Sequence, residues 1–222
     1  MSRSIEILAD LIAFDTISRT PNAALMDYAH ETLQGAGAHI TRVPFEDGRE
    51  NLYAVIGPTD RPAVILSGHT DVVPVEGQAW TKPPFSLTRE DGRLYGRGTA
   101  DMKGFVAASI AAAERAADDQ LATPLALALS CDEEVGCLGV RPLIALLKDA
   151  PIRPALAIVG EPTNLSVATG HKGKTALTAT FRGREGHSAL APLALNALHL
   201  AADFIVALRA RQQDIETSGH RD

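Results

Sequence analysis

The residues able to do chemistry follow three short aliphatic runs. Residues 63–66 (AVIL) lead into SGHTDVVP, which carries His69 and Asp71. Residues 125–129 (LALAL) lead into SCDEEVG, which carries Asp132, Glu133 and Glu134. Residues 155–159 (ALAIV) lead into GEPT, which carries Glu161. Between the first two runs, LYGRGTADMKG puts Asp101 just before a helical pattern. Two like charges 4 Å apart repel by about 4 kcal/mol at an effective dielectric near 20. Asp71, Asp101, Glu133, Glu134 and Glu161 in one cleft would therefore call for cations. Imidazole nitrogen with carboxylate oxygen is a ligand set suited to zinc. The carboxylates are too many for one tetrahedral ion, and a two-metal site with one bridging carboxylate uses them better.

The spacings assign local tasks. His69 and Asp71 lie two apart in an extended segment, so both side chains point to one side. Asp71 can then accept the second ring N–H of His69 and fix its tautomer. Glu133 and Glu134 are adjacent, so one can be a ligand while the other acts as a general base toward water. Each motif alone has an ordinary reading: a surface hydrogen bond for His-x-Asp, helix-start acids for Asp-Glu-Glu, a turn for Gly-Glu-Pro-Thr. Their joint placement at three strand ends favours a site. Cys131 reads as a buried spectator, with no second sulfur close in sequence. Trp80 reads as a loop anchor under the rim of the site.

The elements that must position these residues are legible too. Three uninterrupted aliphatic strands, each preceded by proline, suit a parallel sheet buried on both faces. Helical patterns at 105–117 and 138–147 alternate with them, which predicts an α/β architecture, a mostly parallel sheet covered by helices. Ligands in such sheets bind at the carboxyl ends of the strands. Two helices are expected at the N-terminus, one over 4–14 and one opened by Pro21 and Asn22 and stopped by Gly35 and Gly37. Short strands follow at 39–43 and 52–56. Residues 174–182 (KTALTATFR) alternate and predict a strand with one wet face, and Pro192 is expected to open a long helix through Leu208. One strand and one helix on about 50 residues cannot bury a core of their own. They either pad the first domain or begin a second one.

Composition narrows the function classes. The charge is 21 basic minus 27 acidic residues, or −6, which argues against a general grip on nucleic acid. No apolar run approaches the roughly 18 residues that suggest a membrane span. Glu6 and Asp10 interrupt the first apolar pattern, so it reads as an amphipathic helix rather than a signal peptide. Cys131 and Cys137 are the sequence's 2 cysteines and form no CxxC pair, as expected of a reduced, cytoplasmic protein.

SGHTDVVP, GRGTADMKG, DEEVG, GEPT and a later GREGHSA together resemble the dinuclear zinc amidohydrolases, over essentially the whole chain. The resemblance implies a zinc-peptidase-like catalytic domain over 1–172 and the start of an α+β lid and dimerisation domain over 173–222. It implies two Zn2+ ions, with Co2+ as a possible substitute. His69 and Glu161 would hold one ion, Glu134 the other, and Asp101 would bridge them. Asp71 would orient His69, and Glu133 would deprotonate the attacking water. His187 would reach a partner's site in a homodimer and steady the oxyanion. The implied substrate is a small N-acyl amino acid, N-acetylornithine first, giving acetate and ornithine for arginine biosynthesis. A succinyl-diaminopimelate desuccinylase-like activity is the sibling alternative. A cis peptide at Asp101–Met102 is also implied.

Family members are longer, and their returning segment supplies a last histidine ligand to the second zinc. Neither His199 nor His220 is assigned that role. The chain is thus expected to be a C-terminally truncated member. A reading of another class stays open, a non-catalytic remnant that binds metal or self-associates. It predicts exposed apolar surface at Leu177, Phe181 and the 195–208 helix face.

Overall fold

The computed structural model describes residues 2–150 and 152–219. The chain divides into two compact units, Met1–Val167 and Ala168–Asp222.

The first unit opens with helices α1 (Arg3–Ala13) and α2 (Ala23–Gly35). On α1, Ile7, Leu8, Leu11 and Ile12 are buried, which is the single stripe an amphipathic surface helix presents to a core. Strands β1 (His39–Pro44), β2 (Glu50–Ile56) and β3 (Ala63–His69) follow, then a small hairpin of β4 (Thr88–Glu90) and β5 (Arg93–Tyr95). Helix α3 (Lys103–Ala116), strand β6 (Leu125–Ser130), helix α4 (Val140–Asp149) and strand β7 (Pro154–Val159) complete the unit.

The main sheet has the order β1-β2-β6-β3-β7. It is mixed: β6, β3 and β7 run parallel, while β1–β2 and β2–β6 are antiparallel. Strand alternation splits the core across its two faces. Leu52, Ala54 and Ile56 of β2, with Leu127 and Leu129 of β6, pack among residues of α1, α2 and α3. Tyr53, Val55, Ala126 and Ala128 face the other way, with Ile65 of β3 and Leu143 of α4. The expected three layers are therefore present. The crossover from β3 to β6 runs through α3 on one face, and the chain leaves β6 through α4 on the other. The carboxyl ends of β6, β3 and β7 lie side by side at this divergence, as open α/β sheets arrange a binding crevice.

Three expectations need correction. Strand β7 is not buried on both faces: Leu156, Ile158 and Val159 are 56%, 44% and 58% exposed. It is the edge strand, and α4 packs against β1, β2 and β6, so the helical cover ends short of it. Residues 174–182 form no strand. Among the described residues only an isolated antiparallel bridge, Arg184 with Leu195, pairs the chain nearby, and a lone strand leaves its backbone groups without partners. Pro192 does not open the long helix. It lies in a 3-10 turn, Ser188–Leu193, and helix α5 spans Ala197–Ser218. Asn196 caps α5, its side chain accepting the Leu198 N–H at 2.9 Å. Asparagine serves this position better than a residue without an acceptor. His220 lies outside the described residues.

Candidate metal centre

The site is built from strand ends upward. His69 is the last residue of β3 and is buried. Its Nδ1 lies 2.9 Å from the Asp71 backbone carbonyl and 3.4 Å from Asp71 Oδ1. The nearer partner is thus the Asp71 backbone carbonyl, with the carboxylate expected in that place standing farther off. Its Nε2 faces carboxylates from three other segments: Asp101 Oδ1 at 3.0 Å, Glu161 Oε1 at 3.8 Å and Glu133 Oε2 at 3.9 Å. Asp101 precedes α3, Glu133 follows β6 and Glu161 follows β7. The Asp101–Met102 peptide is cis.

Asp71 does more than orient the imidazole. Its carboxylate accepts the backbone N–H groups of Glu133 at 3.1 Å and Glu134 at 3.4 Å, and the Ser18 hydroxyl at 2.7 Å. One buried acid thus ties the β3 end to the acidic loop after β6. The segment between α1 and α2 closes the base of the site: Thr16 donates to the Thr70 carbonyl at 2.6 Å, and Ile17 bridges Val72. Lys103, fully buried, donates its ammonium to the carbonyls of Leu11 and Phe14 at 2.9 and 2.8 Å. It satisfies the carboxyl end of α1 where cations are favoured, two residues from Asp101. Ser18, Lys103, Arg49 and Asn51 carry no sequence signal that separates them from ordinary loop or helix residues. Asp132 stands out in the sequence only as part of an acidic run.

Electrostatics describe a site short of positive charge. Burial alone would lower the His69 pKa, but Asp71 and Glu133 outweigh it and raise the imidazole to about 9. Burial likewise pushes the carboxyl groups of Glu134 and Glu161 upward, and the neighbouring acids, Asp101 among them, add to the push. Burial works against the Asp71 carboxylate too, yet His69 and Ser18 hold it below the usual range. The upward shifts of His69, Glu134 and Glu161 all have the same sense: positive charge is favoured among these acids.

The donor set fits divalent ions. His69, Glu133 and Glu161 form one triad, and His69, Asp101 and Glu134 another, with ligand atoms within 4.8 Å of one another in each. Six of the seven site residues expected from the sequence are therefore together: His69, Asp71, Asp101, Glu133, Glu134 and Glu161. Glu133, expected as the general base, also falls in one of the two possible ligand sets. His187 lies in the second unit and is exposed, its Nδ1 accepting the Ala189 N–H at 3.1 Å. Cys131 is buried as expected, and burial pushes its thiol up to about 12. Trp80 lines a cleft of about 340 Å3 with Tyr95 and Thr99, and the Arg97 guanidinium sits 5.0 Å from its ring.

A three-layer α/β unit with an acid-rich candidate metal centre at the ends of three parallel strands defines the class. The chain belongs to Peptidase family M20/M25/M40, whose profile matches residues 65–220. It is similar to an acetylornithine deacetylase of Myxococcus xanthus, 40% identical over 221 residues, covering 94% of this chain and 56% of that protein. Among solved structures it resembles the M20 family metallo-carboxypeptidase Sso-CP2 of Sulfolobus solfataricus. That likeness has a TM-score of 0.63 and 25% identity, over 72% of this chain and 37% of the other. It also resembles a tripeptidase of Staphylococcus aureus, with a TM-score of 0.65 over 92% of this chain and 55% of the other. At 16% identity this last likeness speaks to the fold alone. The chain spans about half the length of the curated relatives it matches.

Proposed function

We propose that this chain carries the metal-binding part of an amidohydrolase that cleaves N-acyl amino acids, N-acetylornithine first, to acetate and ornithine. The observation that carries the reading is the aim of His69 Nε2 into the carboxylates of Asp101, Glu133 and Glu161, from a ring fixed on its other side by Asp71. His69 and Glu161 would hold one divalent ion and Glu134 the other, with Asp101 between them. Zinc is the proposed ion and cobalt its substitute. Bound there, such ions polarise an acyl carbonyl and make water more acidic. Glu133 takes the proton from the attacking water and hands it to the departing amine. The C–N bond breaks as the new C–O bond is kept, leaving a carboxylate and a free amine. His187 would steady the oxyanion in a partner copy, which makes the working form a homodimer through residues 173–222. Residues 1–172 are the catalytic portion in this scheme.

The reading places the protein in the cytoplasm and in arginine biosynthesis. No helix among the described residues is long and apolar enough to cross a membrane. The test is acetate release from N-acetylornithine by the purified chain with zinc or cobalt, beside Glu133→Ala. Metal-dependent turnover that the substitution removes supports the reading. Turnover of N-succinyl-diaminopimelate alone would move the substrate to the sibling class.

A second reading rests on apolar exposure. Leu177, Leu195, Leu198, Ile205 and Leu208 are all exposed, while Phe181 is half-buried with its ring 5.4 Å from Phe204. It describes a chain that binds metal or self-associates without turnover. Metal uptake with no acetate released from the same sample would favour it.

A further inference from the structure

The loop from Cys131 to Gly139 carries Glu133 and Glu134 between β6 and α4. Three consecutive acids in it repel one another, so something must decide which of them face His69. Asn51, fully buried on β2, grips both ends of the loop. Its Oδ1 accepts the Cys131 N–H at 3.1 Å, and its Nδ2 donates to the Gly139 carbonyl at 2.8 Å. The two ends approach so closely that a Cβ on Gly139 would lie 2.2 Å from the Cys131 carbonyl oxygen. Only glycine allows that closure without displacing backbone.

Between these ends Asp132 turns away from the cluster. Its backbone is left-handed, φ 53°, and its side chain is buried. One carboxylate oxygen accepts the Arg19 N–H at 2.7 Å, and the other accepts from the Arg49 guanidinium. Arg49 is buried as well, donates Nε–H to the Glu46 carbonyl at 2.9 Å and lies 5.0 Å from the Phe45 ring. Three chain segments meet at this one acid. On the opposite side Asp71 holds the Glu133 and Glu134 N–H groups.

We propose that Arg49, with Asn51, is a positioning residue pair that clamps the 131–139 loop and, by capturing Asp132, turns Glu133 and Glu134 toward His69. The proposal rests on the amidohydrolase reading for the use made of the two glutamates, though the clamp itself is a property of the apo chain. Arginine suits the place because one planar fork serves Asp132 and Glu46 together while its face stacks on Phe45, a combination lysine cannot copy. The desolvation cost of a buried ion pair offsets much of its attraction, so its net contribution to stability is small while the loss of one partner is costly.

The test follows amide hydrogen exchange and cobalt titration in parallel on the 222-residue chain and on Arg49→Met, Arg49→Lys and Arg49→Met/Asp132→Asn. The double variant removes both charges, so it avoids the stranded buried carboxylate that could unfold the single one. Positioning by Arg49 predicts at least tenfold faster exchange across 131–139, unchanged protection in 52–56 and 125–129, and cobalt binding weakened about 10- to 100-fold. Arg49→Lys is expected to recover part of both. Loop exchange and cobalt affinity within twofold of wild type would overturn the proposal. So would faster exchange spread evenly over β2 and β6, which would make Arg49 a general stability residue. A wild-type chain that takes up no cobalt would remove the functional reading, and the exchange pattern would still decide the clamp.

Discussion

The first unit and the second contain the same kinds of apolar residue and treat them oppositely. Leu52, Leu127 and Leu129 lie in strands of the first unit and are essentially inaccessible. Leu177 and Leu198 of the second unit are 89% and 76% exposed, and α5 buries none of its described residues. What differs is the number of layers. A sheet with helices on both faces gives its inner strands partners above and below, whereas one long helix with a short turn leaves most of its apolar face uncovered, apart from Phe204 against Phe181. The candidate chemistry follows the same division. His69 ends a buried strand and Asp71 is buried just beyond it, while His187 lies exposed at the start of a 3-10 turn.

The largest expected effect asks whether the chemistry belongs to the first unit. Glu133→Ala should lower acetate release about 10²- to 10⁴-fold with little change in melting temperature, since the half-exposed side chain supports no core. A variant that keeps most of its turnover would break the contrast.

Packing offers the next test. Leu127→Ala should destabilise the chain by about 2–5 kcal/mol, read from urea unfolding. Leu198→Ala should stay within about 0.5 kcal/mol, as exposed positions do. Equal costs would mean that α5 is covered in solution and that the two regions are less different than they look.

Metal loading sharpens the division further. Cobalt at 100 times its dissociation constant should stabilise the first unit by about 2.7 kcal/mol, and His69→Ala should abolish that gain. A chelator should reverse it. Thermal melts with and without the ion check both.

The smallest effect concerns pH. Tyr28 packs its ring 5.9 Å from Phe14 and donates to Asp10 at 2.8 Å. Burial, with Asp10 adding to it, pushes its phenol up to about 12 from the model-compound 10.0. Between those values the unfolded chain has lost a proton that the folded chain keeps, so stability falls as pH rises from 10 to 12. Tyr28→Phe should fall less steeply over that window in otherwise matched melts.

Most of the first unit was legible from pattern. The aliphatic runs at 63–66, 125–129 and 155–159 became β3, β6 and β7, because unbroken apolar strands need a sheet buried by helices. The motifs that follow those runs gave five of the site residues, since side chains at strand ends must share one edge of the sheet, and the motif before α3 gave Asp101. The second unit was less legible. The alternation in 174–182 looked like a strand, but a strand exists only when a neighbour accepts its hydrogen bonds. The exposure of β7 was hidden for a related reason: apolar sequence announces a need for cover, and only the arrangement of α4 decides which strands receive it.

Sequence by itself determined the chemical types present, their order after each strand and the three-layer class that gathers them. Tertiary structure decided how those groups are held. Asp71 holding the Glu133–Glu134 backbone, Lys103 closing the end of α1, and Arg49 withdrawing Asp132 from the cluster all join residues 62 to 92 positions apart in the chain. No local pattern encodes such contacts, because hydrogen-bond partners are set by which loops the folded sheet brings within 3 Å, and that distance is a property of the fold as a whole.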